Sequence, residues 1–290
     1  MSKEHVITQA KKEKHIFLLL LMGLLFLRFP FLILSRFIEI PLSKDVGTGV
    51  YRDGTYLITA MLIILKRDSL LDYNMDFCSL LIFMIAPIAR LLSEYLLMKN
   101  ASLDMVHQGY WLQTVVSDLC FQIAISVCLL IALIYYHPKL RKRSIKDIFL
   151  WLLIVLVVGI CSGALMGTLS SFQSAEKVPN HPTILLFFNS FITQLGNAAV
   201  MEEPLFRGFL WGFLKNNHWK EHWIWLFQAS LFMLGHIYYF GILNYSFFII
   251  IPISALVLGL LVWRSRSIGT SMIAHGLTNS IGDIVAHYTW

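Results

Sequence analysis

The sequence has 290 residues, of which 57% are hydrophobic and 14% are charged, with a formal net charge of +6. Soluble domains average about 45–50% apolar and about 25% charged residues. The composition therefore excludes an ordinary soluble domain and indicates a membrane protein with several spans. The basic residues lie in short runs between apolar segments and form no separate basic face, so nucleic-acid binding is not expected.

The chain begins with a polar, lysine-rich segment, and an apolar run from His15 to about Leu34 follows, interrupted by Arg28 and Pro30. Because no small-residue cleavage site follows this run, we predict a retained first helix rather than a signal peptide. The next apolar stretch, Gly54–Leu65, is short, since a span needs about 20 residues. It fits a short or tilted span, or an interfacial helix. We favour a crossing, because a crossing keeps the lysine-rich N-terminus in the cytoplasm.

Seven longer apolar segments follow in the sequence. They cover approximately residues 77–98, 119–137, 148–169, 183–214, 222–239, 246–263 and 268–287. The sequence thus predicts an all-α, polytopic transmembrane helix bundle of about eight or nine spans. We divide this single membrane domain into N-terminal helices (residues 1–147), which carry no recognisable motif, and a helical core (residues 148–290).

The orientation of the bundle follows from its basic loops. The densest loop contains Lys139, Arg141, Lys142, Arg143 and Lys146, and the positive-inside rule places it in the cytoplasm. Counting spans forward from this loop puts two further basic segments, 215–220 and 264–266, on the same side of the membrane.

Within one predicted span, Gly159, Gly163 and Gly167 repeat at a spacing of four. Small residues at this spacing form a face that lets a second helix approach closely. We therefore expect these glycines to serve helix packing.

The four cysteines also lie inside apolar segments and form no CxxC pair; they are Cys78, Cys120, Cys128 and Cys161. We expect them to act as small hydrophobic side chains in helix packing. Neither a disulfide framework nor a thiolate zinc site is predicted.

Several polar residues in the N-terminal spans have structural interpretations. Arg90 and Glu94 are four residues apart and are predicted to form an ion pair. Asp118 and Gln122 fall at the start of a span, near the outer interface. Arg28 is expected to extend toward the interface or to approach Glu94.

Three polar motifs stand out in the helical core. The first is Glu202-Glu203-Pro-Leu-Phe-Arg207, in which two adjacent carboxylates each cost about 2.5–3.5 kcal/mol in a membrane helix. Glu203 and Arg207 share a helix face and can pair, but one arginine cannot neutralise both glutamates. Pro204 removes a backbone hydrogen bond and can kink the helix.

The second motif is Phe232-x-x-x-His236 and the third is His275-x-x-x-Asn279, each on a later predicted span. Measured along the predicted helices, Glu202 and His236 lie about 20 Å from the cytoplasmic ends of their spans, so the motifs converge at one depth. A carboxylate and an imidazole can hold and deprotonate a water molecule, and a second imidazole with a carboxamide can stabilise an oxyanion. This set suffices for hydrolysis of an amide bond. Phe232 is expected to pack on the ring of His236.

In order and in spacing, the three motifs resemble the signature of the CAAX prenyl protease and bacteriocin-processing family, also called the Abi family: EExxxR, FxxxH, and HxxxN or HxxxD. The resemblance covers about residues 183–287. It implies that Glu202 and His236 activate the attacking water, and that His275 and Asn279 form the oxyanion site.

The same resemblance implies that Glu203 and Arg207 orient the first motif helix and tune Glu202. Members of this family are often called metalloproteases, although a mechanism without metal is also argued. A zinc site commonly takes three protein ligands and a water, and Glu202, His236 and His275 could supply these ligands. The sequence leaves both the zinc-dependent and the metal-free mechanism open.

We therefore predict an intramembrane endopeptidase of a bacterial cytoplasmic membrane that cleaves a peptide or a prenylated or otherwise lipid-anchored protein near the cytoplasmic side. One alternative is a non-catalytic membrane protein, such as an immunity factor or scaffold, although no motif position is degenerate. A second alternative is a proton-coupled transporter that uses the carboxylates as a relay, although no inverted repeat is obvious.

Overall fold

A computed structural model describes residues 12–28, 44–100, 105–171 and 184–288, and these ranges contain helices and turns without a strand. The helices, in chain order, are α1 (12–28), α2 (Lys44–Leu65), α3 (Phe77–Asn100), α4 (Met105–Tyr136), α5 (Ile145–Ser171), α6 (Ile184–Asn216), α7 (Glu221–Leu234), α8 (Ser246–Ser265) and α9 (Ile268–Tyr288). Short 3-10 turns at Arg67–Tyr73 and Ile237–Tyr239 join some of them. The predicted all-α class is confirmed for the described residues.

In the described part of the chain, five helical segments are long and apolar enough to cross a membrane. They are Phe77–Leu97, Gln113–Tyr136, Ile145–Ser171, Ile184–Asn216 and Ser246–Ser265. The predicted total of eight or nine spans is not confirmed. α7 has 14 residues, or about 21 Å, so the predicted span 222–239 ends early. Gly54–Leu65 is the second half of α2, a helix of 22 residues.

The predicted glycine face of α5 is the seam on which α9 packs. A Cβ atom added to Gly163 would lie 2.8 Å from the Cβ of Ile281 and 2.9 Å from the carbonyl oxygen of Thr278. Gly159 meets Leu277 in the same way, one turn earlier. Both distances are far below van der Waals contact, so any side chain at these positions of α5 would clash with α9. The two helices can pack this closely because α5 has glycine there.

The first helix belongs to the same apolar core as the C-terminal helices. Phe17, Leu21 and Leu24 of α1 are buried, and the ring of Phe17 lies 5.5 Å from Tyr73 and 6.1 Å from Phe209, between ring centroids. The spacings of four and three residues put these α1 side chains on one helix face. That face fixes the position of the last residue described in α1, Arg28.

Three basic loops meet at one end of the bundle, which we call the basic end and define by Arg143, Lys215 and Arg266. Arg143 forms an ion pair with Asp76 at 3.0 Å and donates to the carbonyl oxygen of Ser265 at 2.6 Å. Glu221 pairs with Lys215 at 3.4 Å and with Arg266 through both of its carboxylate oxygens. These contacts put the loops on one side, as the positive-inside assignment requires. The hydrogen bonds from Arg266 hold the pKa of Glu221 below its ordinary value.

The polar residues of the N-terminal spans make contacts within and between helices. Arg90 pairs with Glu94 as predicted. Asp118 accepts a hydrogen bond from Arg52 of α2, and Gln122 donates to Asp53 of the same helix at 2.9 Å, so these side chains tie α4 to α2.

The packing role expected for the cysteines is wrong. All four are free thiols with exposed side chains. They therefore lie on the outer surface of the bundle and not in its helix–helix contacts. In a sequence that is apolar on every side of each helix, the hydrophobicity of a cysteine does not reveal which side it faces.

A first prediction concerns the seam between α5 and α9. Gly163→Ala should destabilise the protein by about 1–3 kcal/mol, the usual cost of overpacking, and should lower the thermal midpoint measured in detergent. Gly23→Ala is the matched control, because an added Cβ at Gly23 meets nothing within 4 Å. Gly23→Ala should raise the thermal midpoint slightly, since alanine is the better helix former. A Gly163→Ala variant as stable as the Gly23→Ala variant would refute the close approach of α5 and α9 at Gly163.

A second prediction concerns the basic end. Because its pKa is lowered from 4.5 on folding, the Glu221 carboxylate stabilises the fold fully above about pH 4.5, and this contribution disappears as the pH falls through the lowered value. Glu221→Gln should therefore cost about 0.2–1 kcal/mol near pH 7 and progressively less below pH 4.5. Thermal unfolding between pH 3 and pH 8 measures this difference. Asp68→Asn serves as the control because the Asp68 side chain is 82% exposed. This variant should leave the stability unchanged over the whole range from pH 3 to pH 8.

Candidate active site

The two motif glutamates lie on a short piece of regular helix within α6. Val200–Glu203 is α-helical, and the helix is wider, with π-type turns, at Leu195–Ala199 before it and at Pro204–Leu210 after it. Pro204 has no N–H to donate to the preceding turn, and the helix is widened from this residue onward, where a kink was predicted. Short π segments are common at functional sites. Glu202, Glu203 and Arg207 are all buried.

Glu203 ties the first and third motifs together. Its Oε1 accepts hydrogen bonds from Arg207 Nη1 at 3.2 Å and from His275 Nδ1 at 2.9 Å. The predicted pairing with Arg207 is thus present, with both side chains fully inaccessible to solvent. Arg207 also donates to the carbonyl oxygen of Ala255 at 3.3 Å, which attaches α6 to α8. These contacts fix the imidazole of His275 relative to the glutamates.

The second motif histidine lies just beyond the end of its helix. α7 stops at Leu234, Gly235 caps it, and His236 begins the following turn. The Nδ1 atom of His236 lies 2.8 Å from the carbonyl oxygen of Phe232. Because a carbonyl can only accept, we infer that Nδ1 carries the proton and that Nε2 of the neutral ring has a free lone pair.

The free edges of both imidazoles face Glu202. His236 Nε2 is 3.9 Å from Glu202 Oε1, and His275 Nε2 is 3.9 Å from Glu202 Oε2. Such distances are too long for direct hydrogen bonds. Two atoms that each lie about 2.8 Å from one water oxygen are 3.9 Å apart at an angle near 90°, so a shared water fits. Within the described residues, Glu202 Oε2 has no protein hydrogen-bond partner.

Phe232 packs on the ring of His236 as expected, with 4.6 Å between ring centroids. It also touches the other two motifs: its centroid is 6.1 Å from that of His275, and the Cζ of Arg207 lies 4.3 Å from it. The conformation of His236 therefore depends on an aromatic side chain that itself rests on the Glu203–Arg207 pair.

Asn279 lies one turn beyond His275, and its Nδ2 donates to Gln194 Oε1 at 3.1 Å. Both residues line a cavity of about 320 Å³, together with His236 and His275. Further along, its wall is formed by side chains near helix ends away from the basic end: Ser170, Leu243, Ser246, Asp283 and Ala286. The cavity therefore leads from the two histidines toward the end of the bundle opposite the basic end.

Sequence reasoning missed one residue of this centre. Arg28 was expected to extend to the interface or to approach Glu94, but its Nη2 donates to Glu202 Oε1 and its Nη1 donates to Tyr51 OH at 3.1 Å. A signal was present, because two adjacent carboxylates and one arginine leave a surplus negative charge in an apolar chain. The sequence could not say which of its other cations supplies the balance.

The suggested zinc ligands do not fit a zinc ion in this arrangement. Tetrahedral zinc with donors at 2.0–2.2 Å requires donor atoms about 3.4 Å apart, and both Glu202–histidine distances are 3.9 Å. The guanidinium of Arg28 already occupies the Glu202 oxygen nearest His236. Across the described ranges, no group of three His, Cys, Asp or Glu side chains is placed to hold a metal ion.

Comparison with protein families gives a match to the segment that contains the three motifs. Residues 180–281 match the family model described as Rce1-like: Type II CAAX prenyl endopeptidase Rce1-like. The resemblance found in the three motifs is thereby confirmed over the segment that contains them. No curated protein and no solved structure matches the chain.

A third prediction tests the Glu203 anchor. Glu203→Gln would leave Arg207 charged and buried without its partner, a change that costs about 3–5 kcal/mol. We expect a large fall in the thermal midpoint in detergent. Glu94→Gln is the control, since Glu94 also pairs with an arginine four residues away but its side chain is 26% exposed; its loss should be clearly smaller. Equal losses would argue against a special structural role of Glu203.

Proposed function

We propose that this protein is an intramembrane endopeptidase in which Glu202 and His236 activate a water molecule for attack on a peptide bond. The observation that carries the proposal is the position of the Glu202 carboxylate, 3.9 Å from the Nε2 atoms of both His236 and His275. The match of residues 180–281 to a family of CAAX prenyl endopeptidases points to the same reaction.

In the proposed reaction, the water lies beside Glu202 Oε2 and donates one hydrogen bond to it. The second hydrogen bond goes to His236 Nε2, which lies 3.9 Å from the other oxygen of the same carboxylate. Removal of a proton by Glu202 makes the oxygen nucleophilic, and it adds to the carbonyl carbon of the scissile amide. The resulting tetrahedral intermediate collapses when the same proton is delivered to the leaving nitrogen. Water is thereby added across the C–N bond, giving a carboxylic acid and an amine, which become a carboxylate and an ammonium group when the acid passes its proton to the amine. No step requires a metal ion.

His275 and Asn279 are the proposed oxyanion donors. His275 Nδ1 already donates to Glu203 Oε1 at 2.9 Å, so a neutral His275 has its lone pair at Nε2. It donates from Nε2 to the oxyanion only while it holds the proton taken from the water, before that proton reaches the leaving nitrogen. The Glu203 carboxylate stabilises this imidazolium, much as a buried carboxylate supports a catalytic histidine in serine proteases. Asn279 points its amide nitrogen at Gln194, and we infer that the carbonyl of the substrate takes over this donor.

The cavity next to the histidines is the proposed substrate site. Its volume of about 320 Å³ holds a few residues of an extended peptide, and the remaining substrate lies outside it. By analogy with the matching family, we propose a peptide or protein with a prenyl or other lipid anchor as the substrate class. Because the cavity leads away from the basic end, the cut segment enters from the opposite side, and not from the cytoplasmic side that the sequence suggested.

We further infer that α1, α7 and α9 cross the bilayer with the five apolar spans, and that α2 crosses it as well. This arrangement gives nine spans, the upper of the two numbers expected from the sequence. In this arrangement, residues 148–290 form the catalytic core and residues 1–147 its flanking helices. A bacterial cytoplasmic membrane remains the proposed location.

A fourth prediction tests the role of Glu202. Glu202→Gln is nearly isosteric but cannot take a proton from water, so kcat should fall by at least about 100-fold. The assay uses purified protein and an internally quenched peptide with a prenylated cysteine, compared with the same peptide lacking the lipid. Glu94→Gln, a carboxylate outside the centre, should keep kcat near that of the wild type. Wild-type activity in Glu202→Gln would refute this mechanism.

A further inference from the structure

The charges at the centre balance only when the first helix is included. Glu202, Glu203 and Arg207 together leave one negative charge among buried side chains. Arg28 supplies the missing positive charge through its hydrogen bond and ion pair with Glu202. It comes from α1, far outside the segment 180–281 that matches the endopeptidase family.

We propose that Arg28 is a positioning residue for the reaction: it keeps Glu202 ionised and fixes which carboxylate oxygen faces the attacking water. This inference rests on the proposed function of Glu202. It assigns to the N-terminal part of the chain, which carries no motif, a direct contribution to the active centre.

The contacts of Arg28 determine which oxygen of Glu202 stays available for water. Arg28 Nη2 donates a hydrogen bond to Glu202 Oε1, and Nη1 donates to Tyr51 OH at 3.1 Å. The other oxygen, Oε2, has no hydrogen-bond partner among the described residues and lies 3.9 Å from His275 Nε2. The arginine thus leaves one oxygen, turned toward the imidazole of His275, as the acceptor for water.

The packing of α1 prevents Arg28 from extending to the interface. Arg28 continues the buried face of Phe17, Leu21 and Leu24 at a spacing of four residues, and it is only 5% exposed. Its guanidinium also lies 5.7 Å from the ring centroid of Phe206. A long basic side chain in a membrane helix normally extends toward water, so its inward position is maintained by the contacts of the whole helix.

The chemical consequence follows from the cost of an unpaired charge. An isolated carboxylate in apolar surroundings takes up a proton instead of staying charged, and a protonated Glu202 cannot accept the proton of the attacking water. Removal of Arg28 should therefore slow the reaction strongly while every motif residue is still present. Lysine at position 28 keeps the charge but loses the two-pronged geometry.

The first test compares Arg28→Gln, Arg28→Lys and the matched control Arg90→Gln, using the prenylated quenched peptide. Arg90 is also a buried arginine paired with a glutamate, but its partner is Glu94 and not a residue of the three motifs. For Arg28→Gln we expect kcat to fall about 100-fold with KM little changed, for Arg28→Lys a clearly smaller loss, and for Arg90→Gln nearly unchanged kcat. A kcat unaffected in Arg28→Gln, or reduced equally in Arg28→Gln and Arg90→Gln, would overturn the proposal.

The second test needs no substrate. Infrared spectroscopy of protein labelled with carbon-13 glutamate detects the C=O stretch of a protonated carboxyl group. We expect such a band in Arg28→Gln, but neither in the wild type nor in the double variant Arg28→Gln/Glu202→Gln. No new band in Arg28→Gln, or a band that persists in the double variant, would overturn the charge-balancing role.

The two tests separate this inference from the proposed function. If Glu202→Gln retains activity while the infrared band appears as expected, the proposed mechanism fails and the assignment of Arg28 as the counter-charge of Glu202 stands. If Arg28→Gln does not fold, Arg28→Lys is measured by the same infrared experiment. A protonated Glu202 in that folded, charge-conserving variant would contradict the proposal.

Discussion

The structure depends on the pairing of two adjacent carboxylates with two arginines inside an apolar bundle. Glu203 pairs with Arg207 on its own helix, and Glu202 pairs with Arg28 from α1. Removing charges from water is expensive, and a buried ion pair is stable only when its partners are well placed and hydrogen-bonded. The packing of α1, α6, α8 and α9 can be understood as the scaffold that meets this condition.

The two glutamates have the same chemistry but different surroundings. Glu203 is bound by Arg207 and His275 through a single oxygen, and it joins the first motif to the third. Glu202 is bound by Arg28 on one side and faces two imidazoles at a distance that suits a water molecule. Under the proposed function, the two adjacent glutamates have separate tasks: Glu203 holds the site together, and Glu202 takes part in the reaction.

Local spacing in the sequence predicted the parts of the site that depend on neighbouring turns of one helix. The Glu203–Arg207 pair and the Phe232–His236 contact are both of this kind, because residues four apart share a helix face. The meeting of the three motifs was also predictable, since polar residues in membrane spans usually turn toward one another. The contacts of Arg28 and the outward direction of the cysteines were not, because a helix that is apolar on every side gives no periodic signal for its buried face.

The widened turns of α6 could not be predicted from the sequence either. Pro204 indicates an irregularity in the helix, but a proline can produce a kink, a break or a π-type turn. Which of these occurs depends on the neighbours, and here Asn74 donates to the carbonyl oxygen of Arg207 at 3.2 Å inside the widened segment. The sequence does not show that residues 133 positions apart come together in this way.

The contact between Arg28 and Glu202 joins residues 174 positions apart, and this separation has a consequence for biosynthesis. The ribosome delivers the arginine with the first helix, long before the glutamate is made, and His275 follows only with the last helix. A nascent chain must therefore hold an uncompensated cation in or near the lipid until most of its translation is complete. Under the proposed function, the active centre is therefore complete only after the last helix has been made.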